Sequence, residues 1–482
     1  MYILSIDQGT TGTKASLIDQ NCQIVDKSYR EFHQIYPKPG WVEHDPLEIW
    51  QTVVETIGDV SARHRGEILA LGITNQRETT VVWNRKTGLP VYNAIVWQCR
   101  RTTEICQSLK PFEPFFREKT GLPIDAYFSG TKIKWILENV PDDPTDLLFG
   151  TIDTWLIWKL TNGKVHATDF TNASRTLIYN IRKKCWDEEL CRLLSIPMNI
   201  LPTVKNAIDD FGVVETIPAI DGVPIAGVAG DQQAALFGQN CIKNGEVKNT
   251  YGTGCFIMMN TGDRYIASHK GLLTTLAIGG SGEPCYALEG SIFIGGAAIQ
   301  WLRDELKMIE KASDSEAAAY AVNDNGGVYL VPAFVGLGAP HWDMEARGVL
   351  VGLTRGANRN HIIRAALESM AYQTHDVLKT MEEETGISIA KLFVDGGAVA
   401  NNFLMQFQAD IIGCPVFRPL NIESTSLGSA FLAGLKSGFW KSNADLISVK
   451  QCDRTFSPEM RDSQRDRLIV GWQKAVRQAK TR

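Results

Sequence analysis

Hydrophobic and polar positions along the first half of the chain predict strands and helices that alternate. The start predicts a β-hairpin over 2–18, whose two strands flank a polar link rich in glycine and threonine. A helix is expected from Pro46 to Ile57, because Asp45 is a suitable N-cap and proline is favoured in a first helical turn. The other elements predicted in this half are strands over Ile68–Asn75, Thr79–Trp83 and Val91–Trp97, and helices over 100–110 and 128–139.

A single carboxylate stands at the end of a buried strand near the middle of the chain. Residues 225–238 predict a short strand, a turn at Gly230 and an apolar helix, with Asp231 at the junction. Ligands of α/β sheets bind beyond the carboxyl ends of strands, where a functional carboxylate would lie. The alternative is that Asp231 only caps a helix beginning at Gln232. The two roles are compatible, because one oxygen can cap the helix while the other faces a substrate.

The second half also places glycine turns after strands. A strand at Val247–Asn249 leads into the turn 251–254 and a further strand at Cys255–Asn260. The clearest helix covers about 360–385, where an i, i+3/i+4 apolar stripe ends at Gly386. The other elements predicted in this half are strands at Cys285–Leu288, Val328–Pro332, Lys391–Val394 and Val416–Arg418, and helices at about Gly295–Leu306, Asn401–Ile412 and Thr425–Leu435.

The recurring motifs predict two similar α/β domains with their glycine turns facing one cleft. Asp-x-Gly-Thr-Thr at 7–11 and Asp-Gly-Gly at 395–397 both follow apolar strands, and a Gly-Thr-Gly turn at 252–254 lies close to the midpoint. A chain of 482 residues is also too long for one ordinary hydrophobic core. We expect an N-terminal domain over 1–243 and a C-terminal domain over 244–482.

Composition and charge narrow the functional classes. The net charge of −5 gives no reason to expect binding to nucleic acid or to an anionic membrane. No apolar run approaches the roughly 20 residues that span a bilayer, and the start of the chain lacks the basic region of a signal peptide. The ten cysteines form no C-x-x-C pair, and the eight histidines show no zinc-ligand spacing. We therefore expect a cytoplasmic protein with reduced thiols.

Glycine and threonine turns that converge on a cleft suit a nucleoside triphosphate. Glycines let the backbone approach phosphates, while N–H groups and hydroxyls donate hydrogen bonds. Asp7, at the start of the first turn, is placed to hold Mg²⁺ through water. Neither a Walker A motif nor the protein-kinase motifs occur. Each turn alone could be ordinary loop chemistry, but three such turns after strands favour phosphate binding.

Phosphoryl transfer to an alcohol also needs groups that hold hydroxyls, a base and exclusion of water. Arg77 and Glu78 can donate to and accept from adjacent hydroxyls of a small polyol, and each lowers the cost of burying the other. Because neighbours on a strand point to opposite faces, a simple exposed ion pair between Arg77 and Glu78 is not expected unless the backbone bends there. Asp231 can accept the proton of the attacking hydroxyl.

Six blocks of sequence carry a resemblance to a known family. They are 7–11 (DQGTT), 72–80 (GITNQRETT), 96–101 (VWQCRR), 230–235 (GDQQAA), 249–256 (NTYGTGCF) and 395–402 (DGGAVANN). Over nearly its whole length the chain resembles the FGGY carbohydrate kinases of the actin-like ATPase superfamily. The resemblance implies two actin-like (ribonuclease H-like) domains with an ATP and substrate cleft between them. The blocks at 72–80 and 96–101 are most similar to members that phosphorylate glycerol with Mg-ATP, giving sn-glycerol 3-phosphate and ADP.

Position by position, the resemblance implies two sets of ligand contacts. The polyol contacts would be Arg77, Glu78, Tyr127, Asp231 and Gln232, with Trp97 and Phe256 packed on the carbon chain. The nucleotide contacts would be Thr10, Thr11, Gly12, Lys14, Thr253, Gly296, Gln300, Gly397 and Asn401. Asp231 would be the general base and Asp7 the Mg²⁺ partner. Taken alone, the three aromatic residues would more often belong to a core.

The chain departs from the family pattern in two places. Many relatives carry arginine where this chain has Lys14, and serine where it has Gly12; lysine keeps the charge and loses the planar fork. The segment 206–223 lacks the glycine-rich loop that binds a sugar bisphosphate regulator in some relatives, and it also lacks a histidine that could be phosphorylated, as happens in others. The resemblance therefore does not carry either form of regulation over to this chain.

Two other functions remain open. One keeps the kinase fold and replaces glycerol with another short polyol or a ketose. The other is a non-catalytic nucleotide sensor or chaperone-like ATPase, because fold does not fix function. Glycerol and ATP are the expected partners, without nucleic acid or membrane insertion, and a homo-oligomer, either dimer or tetramer, is expected.

Overall fold

Two mixed β-sheets, one in each half of the chain, form the frame of the protein. The computed structural model describes residues 1–64, 66–449 and 451–481. The strands of the first half are β1 (Tyr2–Gln8), β2 (Gly12–Ile18), β3 (Ile24–Glu31), β4 (Glu43–His44), β5 (Ile68–Asn75), β6 (Val81–Asn84), β7 (Ala94–Ile95), β8 (Leu147–Gly150), β9 (Ala167–Asp169), β10 (Tyr179–Asn180), β11 (Cys185–Trp186), β12 (Thr203–Lys205) and β13 (Ile225–Gly230). Its helices are α1 (Pro46–Arg63), α2 (Thr103–Leu109), α3 (Glu113–Thr120), α4 (Ser129–Asn139), α5 (Ile152–Leu160), α6 (Phe170–Ala173), α7 (Glu188–Leu193) and α8 (Asp231–Gly238).

The second half continues with the larger sheet and the longer helices. Its strands are β14 (Val247–Tyr251), β15 (Cys255–Gly262), β16 (Leu273–Ile278), β17 (Pro284–Ile292), β18 (Tyr329–Val331), β19 (Val349–Val351), β20 (Leu392–Asp395), β21 (Val416–Pro419) and β22 (Cys452–Phe456). Its helices are α9 (Ala297–Asp304), α10 (Asp314–Tyr320), α11 (Arg359–Thr385), α12 (Asn402–Ile412), α13 (Ser424–Lys436), α14 (Asn443–Val449) and α15 (Asp462–Ala479). None of the described helices is long and apolar enough to cross a bilayer.

The two sheets repeat one topology. The first has the strand order β13-β5-β1-β2-β3, with β1, β5 and β13 parallel and β2 antiparallel to both of its neighbours. The second contains the same arrangement as β21-β20-β14-β15-β17, with β16 and β22 added at its edges. The predicted boundary between residues 243 and 244 falls between α8 and β14, and it stays a prediction.

Helix α13 joins the halves, because it belongs to the second half in sequence yet packs on the first sheet and on α8. A Cβ on Gly428 of α13 would lie 1.9 Å from the carbonyl oxygen of Ala234 in α8. The crossing is therefore so close that only glycine fits. The Ser429 hydroxyl is also 2.7 Å from the hydroxyl of Ser5 in β1. These contacts tie α13 to the first sheet and to α8, the helix that begins at Asp231.

Most predicted elements are present, with their ends shifted. Helix α1 starts at Pro46 with the Asp45 side chain accepting from its first turn, but it runs to Arg63 rather than to Ile57. Helix α11 ends at the left-handed Gly386, as predicted. The strand predicted over Val91–Trp97 was too long: β7 holds only two residues, because its partner β4 is equally short. Sequence reasoning made no prediction for β16 or α15.

Candidate active site

Asp231 is the first residue of α8 and follows the buried strand β13. The N-cap is Gly230, so the helix starts one residue earlier than the capping alternative assumed. Asp231 Oδ1 accepts a hydrogen bond from the Gln232 amide at 2.7 Å and lies 3.1 Å from Arg77 Nε. The Asp231 side chain is still 29% exposed, whereas that of Arg77 is 2% exposed. The carboxylate thus contacts both the helix terminus and Arg77 while remaining accessible.

A left-handed backbone at Glu78 bends the chain immediately after Arg77. Its φ is 61°, which is uncommon for a residue with a side chain. Three donors hold the Glu78 carbonyl in place: Thr80 Oγ1 at 3.1 Å, Ser129 Oγ at 3.0 Å and Lys132 Nζ at 3.3 Å. Because of this bend, Arg77 Nε and Glu78 Oε1 lie 4.0 Å apart in one buried cluster.

Arg77, Glu78, Arg175 and Glu289 form a closed arrangement of alternating charges, which we call the ionic ring. Arg77 donates through Nη1 and Nη2 to Glu289 at 2.6 and 3.0 Å, and Arg175 donates through Nε to Glu78 Oε1 at 2.6 Å. Arg175 Nη2 closes the ring on Glu289 at 3.2 Å. Burial alone would raise the pKa of Glu289, but the two guanidinium groups outweigh burial and lower it to about 2. Glu289 is therefore ionised at neutral pH.

The three aromatic residues of the expected polyol site lie together. Trp97 packs edge-on against Tyr127, with ring centroids 5.6 Å apart, and against Phe256 at 6.4 Å. Phe256 lies on β15 of the second half, so this wall spans both halves. Each of the three rings is partly buried. Such a wall can cover the carbon chain of a small polyol and exclude water from it.

Lys248 is a functional candidate that sequence reasoning missed. It is fully buried on β14, and its Nζ donates to Gln232 Oε1 at 2.5 Å, to Thr250 Oγ1 at 2.8 Å and to the Phe256 carbonyl at 3.3 Å. Burial lowers the pKa of Lys248 to about 8. Strand β14 has the sequence VKNTY, in which three of five residues are polar, so nothing in the sequence indicated that Lys248 is buried.

Arg175 and Glu289 were missed as well. Glu289 interrupts the apolar run of β17, which was a usable signal, because buried carboxylates are rare unless paired. Arg175 follows helix α6 in a segment without clear periodicity, and nothing local marks it.

The second half contains a cavity of about 510 Å³ that suits a nucleotide. Five of the expected nucleotide contacts line it: Thr253, Gly296, Gln300, Gly397 and Asn401. The turns that carry them touch, because a Cβ on Gly396 would lie 2.5 Å from the Tyr251 carbonyl oxygen. Asn401 also caps α12 by accepting from the Leu404 amide at 2.9 Å.

The other four expected nucleotide contacts lie around the turn between β1 and β2: Thr10, Thr11, Gly12 and Lys14. In the described part of the chain, none of them lines the 510 Å³ cavity. Thr10 Oγ1 accepts from Trp97 Nε1 at 3.0 Å, and Lys14 Nζ lies 2.5 Å from Glu423 Oε2 of the second half. Gly12 faces β3, since its Cβ would lie 2.5 Å from Tyr29 Oη.

Asp7 lies at the end of β1, facing the second half. Burial raises the pKa of Asp7 to about 6; Lys14 opposes this effect, and the carboxylates of Asp231 and Glu423 add to it. Ser426 Oγ donates to Asp7 Oδ2 at 3.3 Å. Within residues 1–64, 66–449 and 451–481, no group of three or more His, Cys, Asp or Glu side chains could ligate a metal. This donor set fits Mg²⁺ held by phosphate oxygens and water, with one carboxylate nearby.

The two repeated sheets, the buried charges around Asp231 and the nucleotide-sized cavity are typical of a two-domain phosphotransferase. Residues 2–238 match the model for the N-terminal domain of the FGGY family of carbohydrate kinases, and residues 247–437 match the model for its C-terminal domain. The chain belongs to the FGGY family of carbohydrate kinases, and the expected two-domain fold is confirmed.

Proteins similar to this chain include two glycerol kinases. That of Carboxydothermus hydrogenoformans is 60% identical, with 99% of this chain and 98% of the relative aligned. That of Fusobacterium nucleatum is 58% identical, with 99% of each chain aligned. The crystal structure of Plasmodium falciparum glycerol kinase with ADP superimposes with a TM-score of 0.93 at 38% identity, covering 100% of this chain and 98% of that one.

Proposed function

We propose that the protein transfers the γ-phosphoryl group of Mg-ATP to the 3-hydroxyl of glycerol, giving sn-glycerol 3-phosphate and ADP. The observation that carries this proposal is the meeting of Asp231 with the Arg77–Glu78 pair, in a chain whose second half contains the 510 Å³ cavity. The similarity to glycerol kinases at 58–60% identity supports the choice of glycerol.

The polyol would be held by the buried pair and covered by the aromatic wall. Glu78 accepts a hydrogen bond from one hydroxyl, and Arg77 donates to a neighbouring one. Trp97 and Phe256 pack on the carbons, with Tyr127 and Gln232 at the sides. Because these groups are fixed before the substrate arrives, the reacting hydroxyl is oriented without further ordering of the protein.

Asp231 would act as the general base. As the hydroxyl oxygen of the polyol bonds to the γ-phosphorus, the bond from that phosphorus to the β–γ bridging oxygen breaks, and its electron pair leaves with ADP. The hydroxyl proton passes to Asp231 and then to solvent. The loose transition state of such transfers makes positioning of this hydroxyl at least as important as its deprotonation.

The nucleotide would occupy the cavity of the second half, with its phosphates near the β1–β2 turn. Thr253, Gly296, Gln300, Gly397 and Asn401 surround the cavity, while Thr10, Thr11, Gly12 and Lys14 approach the phosphates. Mg²⁺, when bound, supplies positive charge to the transferring phosphoryl group. Asp7 would hold that ion through water.

A coupled assay of ADP release with Mg-ATP tests the proposal across a panel of glycerol, erythritol, dihydroxyacetone and xylulose. We expect glycerol to give the highest kcat/KM. A higher value for another member would identify a different FGGY substrate. Slow ATP hydrolysis that no polyol accelerates would indicate a nucleotide sensor and overturn the proposal. The cytoplasmic location and the homo-oligomeric state stay predictions; light scattering of the purified protein measures the latter.

A further inference from the structure

The ionic ring extends the polyol site beyond the residues that the family resemblance assigns to it. Two of its members, Arg77 and Glu78, belong to the expected substrate contacts, while Arg175 and Glu289 do not. The side chains of Arg175 and Glu289 are both 0% exposed. Charges this deeply buried persist only when they are paired with good geometry, so the four residues act as one unit.

Glu289 enters this unit from the other half of the molecule. It lies on β17, between backbone neighbours Met258 of β15 and Leu273 of β16. The remaining members of the ring come from the first half. The second sheet therefore shapes a polyol site whose other charged contacts belong to the first half.

The hydrogen-bond inventory of Arg77 shows what Glu289 fixes. Arg77 Nε lies 3.1 Å from Asp231, Nη1 donates to Glu289 and to Gln233 Oε1 at 3.3 Å, and Nη2 donates to Glu289. A guanidinium group has five hydrogens in one plane. With the Glu289 fork engaging both Nη atoms, the plane of Arg77 is set, Nε faces the base, and one Nη2 hydrogen is left for a substrate hydroxyl.

Arg175 plays the matching part for Glu78. Its Nε donates a hydrogen bond to Glu78 Oε1, so Oε2 of the same carboxylate can accept one from a hydroxyl of the polyol. Among the described residues, Arg175 Nη1 is buried without a hydrogen-bond partner. The position of Arg175 is therefore set by its two carboxylate partners, Glu78 and Glu289. An arginine with a purely structural role would be expected to have partners for all of its buried donors.

We propose that Glu289 and Arg175 are positioning residues of the polyol site, Glu289 orienting Arg77 and Arg175 orienting Glu78. This inference rests on the proposed phosphorylation of a polyol. It is tested with whichever member of the panel the wild-type protein phosphorylates fastest, so that a wrong choice of glycerol and a wrong role for the ring give different results.

The first comparison uses Glu289→Gln and the charge-balanced double variant Glu289→Gln/Arg175→Gln. We expect the single variant to lose about 10–100-fold in kcat/KM for the polyol, because a displaced contact misaligns the reactants, while KM for ATP stays within about twofold. The double variant removes one charge of each sign and should recover the melting temperature without recovering kcat/KM. Recovery of both would show that the ring serves only stability and would overturn the inference.

Two further variants keep the test decisive. Arg175→Lys retains the charge but not the planar fork, so KM for the polyol should rise about 10-fold even if Glu289→Gln fails to fold. Glu368→Gln is the matched control, since Glu368 is a buried carboxylate that accepts from Arg364 Nε at 2.7 Å on α11. The control should lower the melting temperature and leave KM for the polyol unchanged. Unchanged polyol kinetics in Arg175→Lys would contradict the proposal.

Discussion

The two halves of the molecule share one sheet topology and carry different chemistry at the ends of corresponding strands. In the first half, β5 leads into Arg77 and Glu78, and β13 leads into Asp231. In the second half, β20, which occupies the place of β5, ends in Asp395 and is followed by Gly396 and Gly397. Buried ion pairs hold Arg77 and Glu78, whereas in the second half Gly397 lines the 510 Å³ cavity.

The halves also differ in where the common sheet is extended. The first half inserts residues 76–224 between β5 and β13, and this insertion supplies Trp97, Tyr127 and Arg175. The second half inserts residues 293–391 between β17 and β20, which supplies Gly296 and Gln300. If the proposed sites are correct, the shared topology places a ligand at the strand ends of each half, and the position of the insertion decides which ligand it is. The predictions below test whether the first half binds the polyol and the second half binds the nucleotide.

The largest effect is expected at Asp231. Asp231→Asn keeps an oxygen for the Gln232 amide but loses the basic carboxylate, so kcat should fall by about 10²–10⁴. Binding of ADP, for which none of the proposed contacts is Asp231, should change less than threefold by calorimetry. A fall in kcat of less than tenfold would exclude Asp231 as the base, and an equal loss of ADP affinity would contradict the separation of the two sites.

Asp7 should link the two halves through Mg²⁺. Asp7→Asn should lower kcat/KM for Mg-ATP about 10–100-fold, as for other groups that hold a metal indirectly. Burial raises the pKa of Asp7 to about 6, and only the ionised form attracts the cation. The apparent affinity for Mg²⁺ should therefore be constant above pH 7 and weaken toward tenfold per pH unit below pH 6.

The control for this pH dependence is the Asp7→Asn variant itself. ATP also titrates in this range, and its contribution remains in the variant. Mg²⁺ titrations of both proteins at pH 5.5, 6.5 and 7.5 isolate the contribution of Asp7. Parallel curves for the two proteins would show that Asp7 has no part in holding the metal.

A smaller effect tests the second half alone. A Cβ on Gly397 would meet no protein atom within 4 Å, so Gly397→Ala should fold normally and affect only a ligand that approaches the backbone closely. We expect KM for ATP to rise about 10-fold, since overpacking costs roughly 1–3 kcal/mol, with polyol KM unchanged. Gly58→Ala in α1, where a Cβ is equally free, is the matched control and should alter neither constant.

The contrast between the halves also explains what the sequence could predict. Asp7, Asp231 and Gly397 each follow an apolar strand directly, so local patterns place them at strand ends. The left-handed conformation of Glu78, in contrast, was not predicted from the sequence.

Arg175 and Glu289 could not be paired from sequence, because their contact depends on how two distant segments pack. The length of β7 was unpredictable for the same reason, since the short partner strand β4 decides it. Periodicity reports which positions are buried. Periodicity does not show which buried charged side chains form ion pairs with each other.

The smallest expected effect concerns Lys14, which the sequence assigned to the nucleotide and the structure pairs with Glu423 across the halves. Their side chains are 22% and 32% exposed, and such pairs contribute about 0–1 kcal/mol to stability. If Lys14 serves the nucleotide, Lys14→Met should raise KM for ATP about 2–5-fold, whereas Glu423→Gln frees the ammonium group and should not raise it. Equal increases in both variants would show that the residue only ties the first half to the second.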